Sequence, residues 1–121
     1  MKKERVEKIF TGKQSGFRSL VVYQKAFQLA CEIHELSKSF PKEELFGTTS
    51  QIKRASKSVC ANIGEAYRKR QYTAHFASKM SDANMENTEV QVWCDFSFAS
   101  DYITEEQYSN FLAQSEEVGA S

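Results

Sequence analysis

The sequence is poor in the residues that form tight turns and cross-links. It contains one proline and five glycines in 121 residues, too few for the many turns of an all-β protein. Its three cysteines, Cys31, Cys60 and Cys94, are widely spaced and odd in number. Neither a disulfide framework nor a zinc site is therefore indicated. These absences favour long helices with buried thiols in a reducing compartment.

Long apolar segments are also missing. No uninterrupted apolar run approaches the roughly 20 residues that cross a bilayer. The basic N-terminus, MKKERVEKIF, is followed by neither an apolar core nor a cleavage site, which a secretory signal would have. We therefore expect a cytoplasmic protein with no membrane partner.

The net charge of zero conceals a division along the chain. Residues 1–79 hold all sixteen lysines and arginines and seven of the acids, a net charge of +9. Residues 80–121 hold the other nine acids and no lysine or arginine, a net charge of −9. The two halves can neutralise each other within one fold or between copies, or a basic face can point outward.

The hydrophobic pattern divides the chain into an arm and a helical domain. Residues 1–16 carry five basic side chains and two glycines, which predicts a flexible basic arm. Apolar residues at steps of three and four then predict helices over residues 17–40, about 50–70 and about 73–102, with a fourth capped by Thr104. Four helices with short connections predict an all-α, up-and-down four-helix bundle over residues 17–121.

Two of these helices have more apolar surface than such a bundle buries. The first has an apolar arc wider than half its circumference, and the third carries a second stripe opposite its core stripe. That second stripe consists of Met85, Val92, Phe96, Ala99 and Ile103. Because a monomer rarely exposes so large an apolar patch, we expect a homo-oligomer with these residues at its interface. A distorted bundle that wraps the third helix on both sides is the alternative.

The second helix gathers four cations, Lys53, Arg54, Lys57 and Arg68, on the side opposite its core stripe. Lys69 and Arg70 add charge at the end of the helix, and we call these six residues the basic face. The small residues Ala61 and Gly64 lie among these cations, so a sugar-phosphate strand could approach the helix closely. In the alternative interpretation, the acids Asp82, Glu86 and Glu89 of the third helix neutralise the basic face.

Catalytic and metal-binding patterns are weak. The two histidines, His34 and His75, fall on different predicted helices, and Cys31 and His34 alone are too few ligands for a metal site. The Glu-x-x-His pairs of di-iron bundles and the glycine-rich phosphate loops are absent. We therefore expect no enzyme activity, no metal and no cofactor. A buried Asn87 is expected to fix the register of the third helix.

Three segments carry a resemblance to known proteins: residues 17–26, FRSLVVYQKA, residues 40–44, FPKEE, and residues 49–68, TSQIKRASKSVCANIGEAYR. They resemble a bacterial family of small helical proteins encoded in intervening sequences of 23S ribosomal RNA genes, the S23 ribosomal protein family. Glu86 is similar to an acid that recurs in the family. The resemblance implies a helical bundle that assembles as a ring, a pentamer. It also implies likeness to the accessory protein of diversity-generating retroelements, a basic pentamer that binds nucleic acid and a reverse transcriptase.

Two hypotheses of function follow. In the first, a non-enzymatic oligomer binds RNA or DNA through the basic face, mostly through phosphates and without reading sequence. In the second, the assembly is a scaffold that holds a protein partner and has no role with nucleic acid.

Overall fold

The computed structural model describes residues 1–120, and these residues form an all-α protein, as the sequence predicts. There are five α-helices: α1 (Lys3–Ile9), α2 (Val21–Ser37), α3 (Thr48–Arg68), α4 (Thr73–Ala99) and α5 (Glu105–Ala120). Two 3-10 turns, at Gly16–Ser19 and Lys42–Glu44, precede α2 and α3. No strand occurs over this range. The domain therefore has one helix more than the four predicted.

The additional helix, α1, lies within the predicted N-terminal arm. The Phe10 ring, directly after α1, packs edge-on against Phe27 of α2 at a centroid distance of 5.4 Å. It also contacts Tyr23 at 6.3 Å. The N-terminal ammonium forms an ion pair with Glu35. The arm therefore touches α2 at both ends of α1. Its flexibility stays a prediction.

Helices α2 to α5 share one hydrophobic core. Each contributes residues at helical spacing, and the most deeply buried apolar side chains include Leu29, Ile33, Ile52, Val59, Ile63, Val90 and Cys94. Side-chain hydrogen bonds also join these helices. Gln114 in α5 donates to Glu32 in α2, and Tyr108 early in α5 donates to Asp95 late in α4. Burial of this core is the main stabilising contribution.

Helices α3 and α4 form the most extensive contact in the structure. Only residues 69–72 separate them, so they pack as an antiparallel hairpin. Arg54 near the start of α3 reaches Glu86 and Glu89 in the second half of α4. Glu65 near the end of α3 pairs with Lys79 near the start of α4, at 2.6 Å. Ion pairs thus join both ends of the hairpin.

Helix α4 ends at Ala99, three residues before the predicted end. Asp101 adopts a left-handed conformation with φ of 65°, which stops the helix. The following amide, that of Tyr102, donates back to the Ser97 carbonyl at 2.9 Å, a bond typical of a helix C-terminus. The turn redirects Ile103 into the core, where it is 5% exposed. The sequence predicted that Ile103 would continue the exposed stripe of α4. That prediction is wrong, because the turn at Asp101 places Ile103 in the core.

The start of α5 follows its sequence signal. The Thr104 hydroxyl accepts a hydrogen bond from the Gln107 amide at 3.1 Å, and the Gln107 side chain accepts one from the Thr104 amide at 2.8 Å. This reciprocal pair is a capping box, which satisfies two amides that the helix leaves without partners.

A buried polar contact fixes the register of α4 against α5. The Asn87 side-chain amide donates to the Ser115 carbonyl, and the Ser115 hydroxyl donates to the Asn87 Oδ1, both at 2.8 Å. Gln91 adds a third bond, to the Ser115 hydroxyl at 3.0 Å. Asn87 and Ser115 are 4% and 1% exposed, so water cannot replace these bonds.

We expect Asn87→Ala to lower the free energy of unfolding by about 1–3 kcal/mol, because it removes two hydrogen bonds between buried groups of Asn87 and Ser115. Urea denaturation of Asn87→Ala, Ser115→Ala and the double variant measures the coupling between the two residues. Asn84→Ala, on the exposed side of α4, is the control. Additive losses in the double variant would show that the contact does not specify register.

Candidate functional site

The outward face of α4 carries no charged side chain. It faces away from α3, and its residues recur at steps of three and four along the helix: Ala74, Ser78, Ser81, Met85, Thr88, Val92, Phe96 and Ala99. All eight are exposed, including Met85 at 68% and Phe96 at 56%. The structure therefore places four of the five predicted interface residues together on one surface. Ile103 is separated from them in the core.

Arg54 is the residue of the basic face that forms ion pairs with acids of α4. Its Nη1 lies 3.2 Å from the Glu86 Oε2, and its Nη2 forms a second ion pair with Glu89. The hydrogen bond to Glu89 raises the pKa of Arg54, and the same bond lowers the pKa of Glu89. For Arg54, the geometry favours the alternative in which acids of α4 neutralise the cation.

The lysines of the basic face are not neutralised in this way. Lys57 is exposed and Lys53 is half-buried, and neither forms an ion pair within residues 1–120. Both lie near His34 of α2. Burial and then these two lysines lower the pKa of His34, which favours the neutral imidazole. Two lysines without ion pairs therefore lie close enough to His34 to disfavour its protonation.

The predicted gap at Gly64 is occupied on one side by Phe17. A Cβ added to Gly64 would lie 3.8 Å from the Phe17 ring, an ordinary van der Waals distance. The Arg18 guanidinium lies over the same ring, 4.6 Å from its centroid. A shallow cavity of about 310 Å³ remains, lined by Phe17, Gly64 and Arg68 among others. Arg18 thus joins the cations near the basic face, a residue that the sequence interpretation missed because it precedes another helix.

The remaining cations lie at the end of α3. Arg68, Lys69 and Arg70 are exposed, and they form no ion pair in the part of the chain that the structure describes. Arg70 stacks on the Tyr67 ring, 4.0 Å from the ring centroid. With a rise of 1.5 Å per residue, Arg68 lies about 16 Å along α3 from Lys57. The basic face is therefore two patches on one helix rather than one compact cluster.

A wide groove separates α1 from α2 and α5. It has a volume of about 1020 Å³, and its lining includes Val6, Phe10, Phe27, Leu36 and Phe111. The exposed surface of the groove is mostly apolar, and polar side chains, among them Glu7, Glu32 and Glu35, also line it. The sequence did not reveal this groove, because it depends on where α1 lies relative to α2.

The cysteines and histidines do not form a reactive centre. Burial raises the pKa of Cys60 and of Cys94 to about 12, so both are thiols at neutral pH. Burial also raises the pKa of Cys31. Across residues 1–120, no group of three or more His, Cys, Asp or Glu side chains could hold a metal ion. None of the helices in that range combines the length and apolarity needed to cross a membrane.

Comparisons with known proteins agree with the sequence resemblance. Residues 18–121 match the family described as the 23S rRNA-intervening sequence protein. A crystal structure from Bacteroides thetaiotaomicron, of a protein with unknown function from the S23 ribosomal protein family, is similar in fold with a TM-score of 0.73. The two chains share 34% sequence identity, over 81% of this chain and 88% of that one. No curated protein gives a significant match.

We expect Arg54→Gln to lower the free energy of unfolding by about 0.5–1 kcal/mol at neutral pH, because the ion pairs with Glu86 and Glu89 are partly exposed. The pKa of Glu89 is lowered in the folded state, so its contribution is present above the ordinary carboxyl range and is lost as the pH falls through its folded pKa. The difference between wild type and Arg54→Gln, measured by urea denaturation, should therefore shrink in acid. Lys53→Gln is the control. An equal effect of both substitutions at every pH would contradict the assignment.

Proposed function

The chain belongs to the 23S rRNA-intervening sequence protein family, and from this premise we propose that it is a non-enzymatic homo-oligomer that binds RNA or DNA without reading sequence. In this proposal α2 to α5 form an up-and-down four-helix bundle, with α1 as an addition to it. The free cysteines are consistent with the cytoplasm as its location.

The observation that supports nucleic-acid binding best is the set of cations on α3 without acidic partners. Arg54 forms ion pairs with Glu86 and Glu89. The other residues of the basic face form no ion pair in the described chain; they are Lys53, Lys57, Arg68, Lys69 and Arg70. Phosphates are the partners that such a strip attracts, and the attraction does not depend on base sequence. Arg54 then serves to position α3 against α4. The other five residues of the basic face carry the proposed contact.

Assembly is supported by the outward face of α4. Eight exposed, uncharged residues along a 27-residue helix resemble an interface more than a solvated surface. We propose that this face packs against a second copy, with a pentameric ring as the expected closed form. A ring would repeat the basic face around its circumference, so that weak phosphate contacts act together on one strand.

A protein scaffold is the second candidate function. The groove between α1, α2 and α5 favours it, because a mostly apolar groove of about 1020 Å³ is typical of a surface that receives a helix or side chains of a protein partner. In that case the basic face would serve only the solubility of the assembly.

We expect sedimentation equilibrium at micromolar concentration to give several times the subunit mass of 13.8 kDa. Phe96→Asp places a charge in the outward face of α4 and should weaken assembly strongly. Asp95→Asn, at the neighbouring position outside that face, should weaken it less. A clean monomer for the unchanged protein would contradict the proposed assembly.

Charge reversal tests the basic face directly. We expect Lys53→Glu with Lys57→Glu to reduce affinity for RNA and DNA and to flatten the dependence of log affinity on log salt by about two units, since each lost phosphate contact removes about 0.9. A gel-shift series across salt concentrations, with 23S rRNA fragments and generic duplexes, measures both quantities.

The matched control is Lys13→Glu with Lys42→Glu, which changes the charge equally at two exposed lysines outside the basic face. Unchanged affinity in the first double variant, in protein that still assembles, would exclude Lys53 and Lys57 as contacts. Absence of any binding at low salt would exclude the nucleic-acid function and favour the protein scaffold.

A further inference from the structure

The α3–α4 hairpin extends beyond the other core helices. Gly119, near the end of α5, lies beside Asn87 and Asn84 of α4. Val22, at the start of α2, lines the same small cavity as Met80 and Val118. The first two turns of α4, Thr73 to Lys79, therefore project about 10 Å past the level at which α2 begins and α5 ends. Every residue from 68 to 78 is exposed.

This projection carries aromatic rings that no other helix covers. We define the aromatic tip as Tyr67, Tyr72, His75 and Phe76, together with Arg68, Lys69 and Arg70. Tyr72 is 60% exposed and Phe76 is 38% exposed. Tyr72 directly precedes α4, and its carbonyl accepts a hydrogen bond from the Phe76 amide at 2.9 Å, so the two residues lie one turn apart at the start of the helix. Exposed aromatic side chains that cluster in one place are typical of a binding surface.

Some of these rings are held in place before any ligand binds. Arg70 stacks on Tyr67 and also donates to the Tyr67 carbonyl at 2.9 Å. Tyr72 and His75 meet edge to face, with ring centroids 6.2 Å apart. Such contacts reduce the side-chain entropy lost on binding.

The charge of the tip is uniformly positive. Residues 66–81 contain four basic residues and no acid. One of the four, Lys79, is paired with Glu65. Three cations without ion pairs, Arg68, Lys69 and Arg70, therefore directly precede the exposed rings in the chain. A protein partner with exposed acids would satisfy the charges alone, whereas a nucleic-acid strand supplies both phosphates for the cations and flat bases for the rings.

We infer that the aromatic tip binds single-stranded nucleic acid, with unpaired bases stacked on Tyr72 and Phe76 and phosphates held by Arg68, Lys69 and Arg70. The inference rests on the proposed function and specifies its ligand. A duplex hides the faces of its bases within its own stack, so it can meet only the cations. The protein should therefore prefer a single strand, and the strand would continue from the tip along α3 toward Lys57.

Fluorescence anisotropy with a short single-stranded RNA of mixed sequence, and with the same strand annealed to its complement, tests this inference. We expect the single strand to bind more tightly. Tyr72→Ala with Phe76→Ala should weaken single-strand binding roughly 10- to 100-fold and leave duplex binding unchanged. The salt dependence should stay the same, because no phosphate contact is removed.

Two further variants separate stacking from other effects. Leu45→Ala with Phe46→Ala removes exposed apolar side chains at the other end of α3, 54% and 91% exposed, and should not change binding. Tyr72→Leu with Phe76→Leu keeps apolar bulk without rings and should lose affinity as the alanine variant does. Circular dichroism and sedimentation confirm that fold and assembly are retained.

The possible failures are distinguishable. Equal binding of single strand and duplex, unaffected by the tip variants but weakened by Lys53→Glu with Lys57→Glu, would overturn the inference and leave the proposed function standing. No binding of either RNA at low salt would overturn both. A change of assembly mass in the tip variants would identify the tip as a contact between copies instead.

Discussion

The packing of α4 against α3 is the constraint on which the other features depend. Because α4 buries Ala83, Val90 and Cys94 on its inward side, its opposite side must face away from the subunit core. That opposite side is uncharged over the whole helix. The same packing orients α3 so that its cations lie at the surface. The proposed interface and the proposed nucleic-acid contact are thus two consequences of one helix pair.

Electrostatics within this pair explains where the positive charge remains available. The nine acids of residues 80–121 begin on α4, and two of them, Glu86 and Glu89, form ion pairs with Arg54. Glu65 forms an ion pair with Lys79. Beyond these pairs no acid lies between residues 66 and 81. The charge division seen along the sequence is therefore only partly cancelled in the fold, and part of the surplus lies where the hairpin projects.

The sequence predicted the helices well because their apolar periodicity is strong and their ends carry clear signals. Thr104 caps α5 as expected, and Asn87 makes the buried register contact. Predictions were weaker where structure depends on a single backbone conformation. The left-handed Asp101 ends α4 early and buries Ile103, which the spacing from Ala99 had placed in the exposed stripe.

Features that arise between distant segments could not be predicted from periodicity. Helix α1 has seven residues, too short for a clear pattern, and its ring contacts with α2 create the groove beside α5. The cations of the basic face were identified from one helix alone. Which of them would be neutralised depended on the register of α3 against α4, and that register selected Arg54.

Hydroxyl-radical footprinting of the methionines tests the central claim, that the outward face of α4 is covered in the working protein. Met85 and Met1 are 68% and 41% exposed in the subunit, so Met1 is an internal standard. We predict that oxidation of Met85 is suppressed relative to Met1 at micromolar concentration and recovers on dilution. Faster oxidation of Met85 than of Met1 at every concentration would contradict the account.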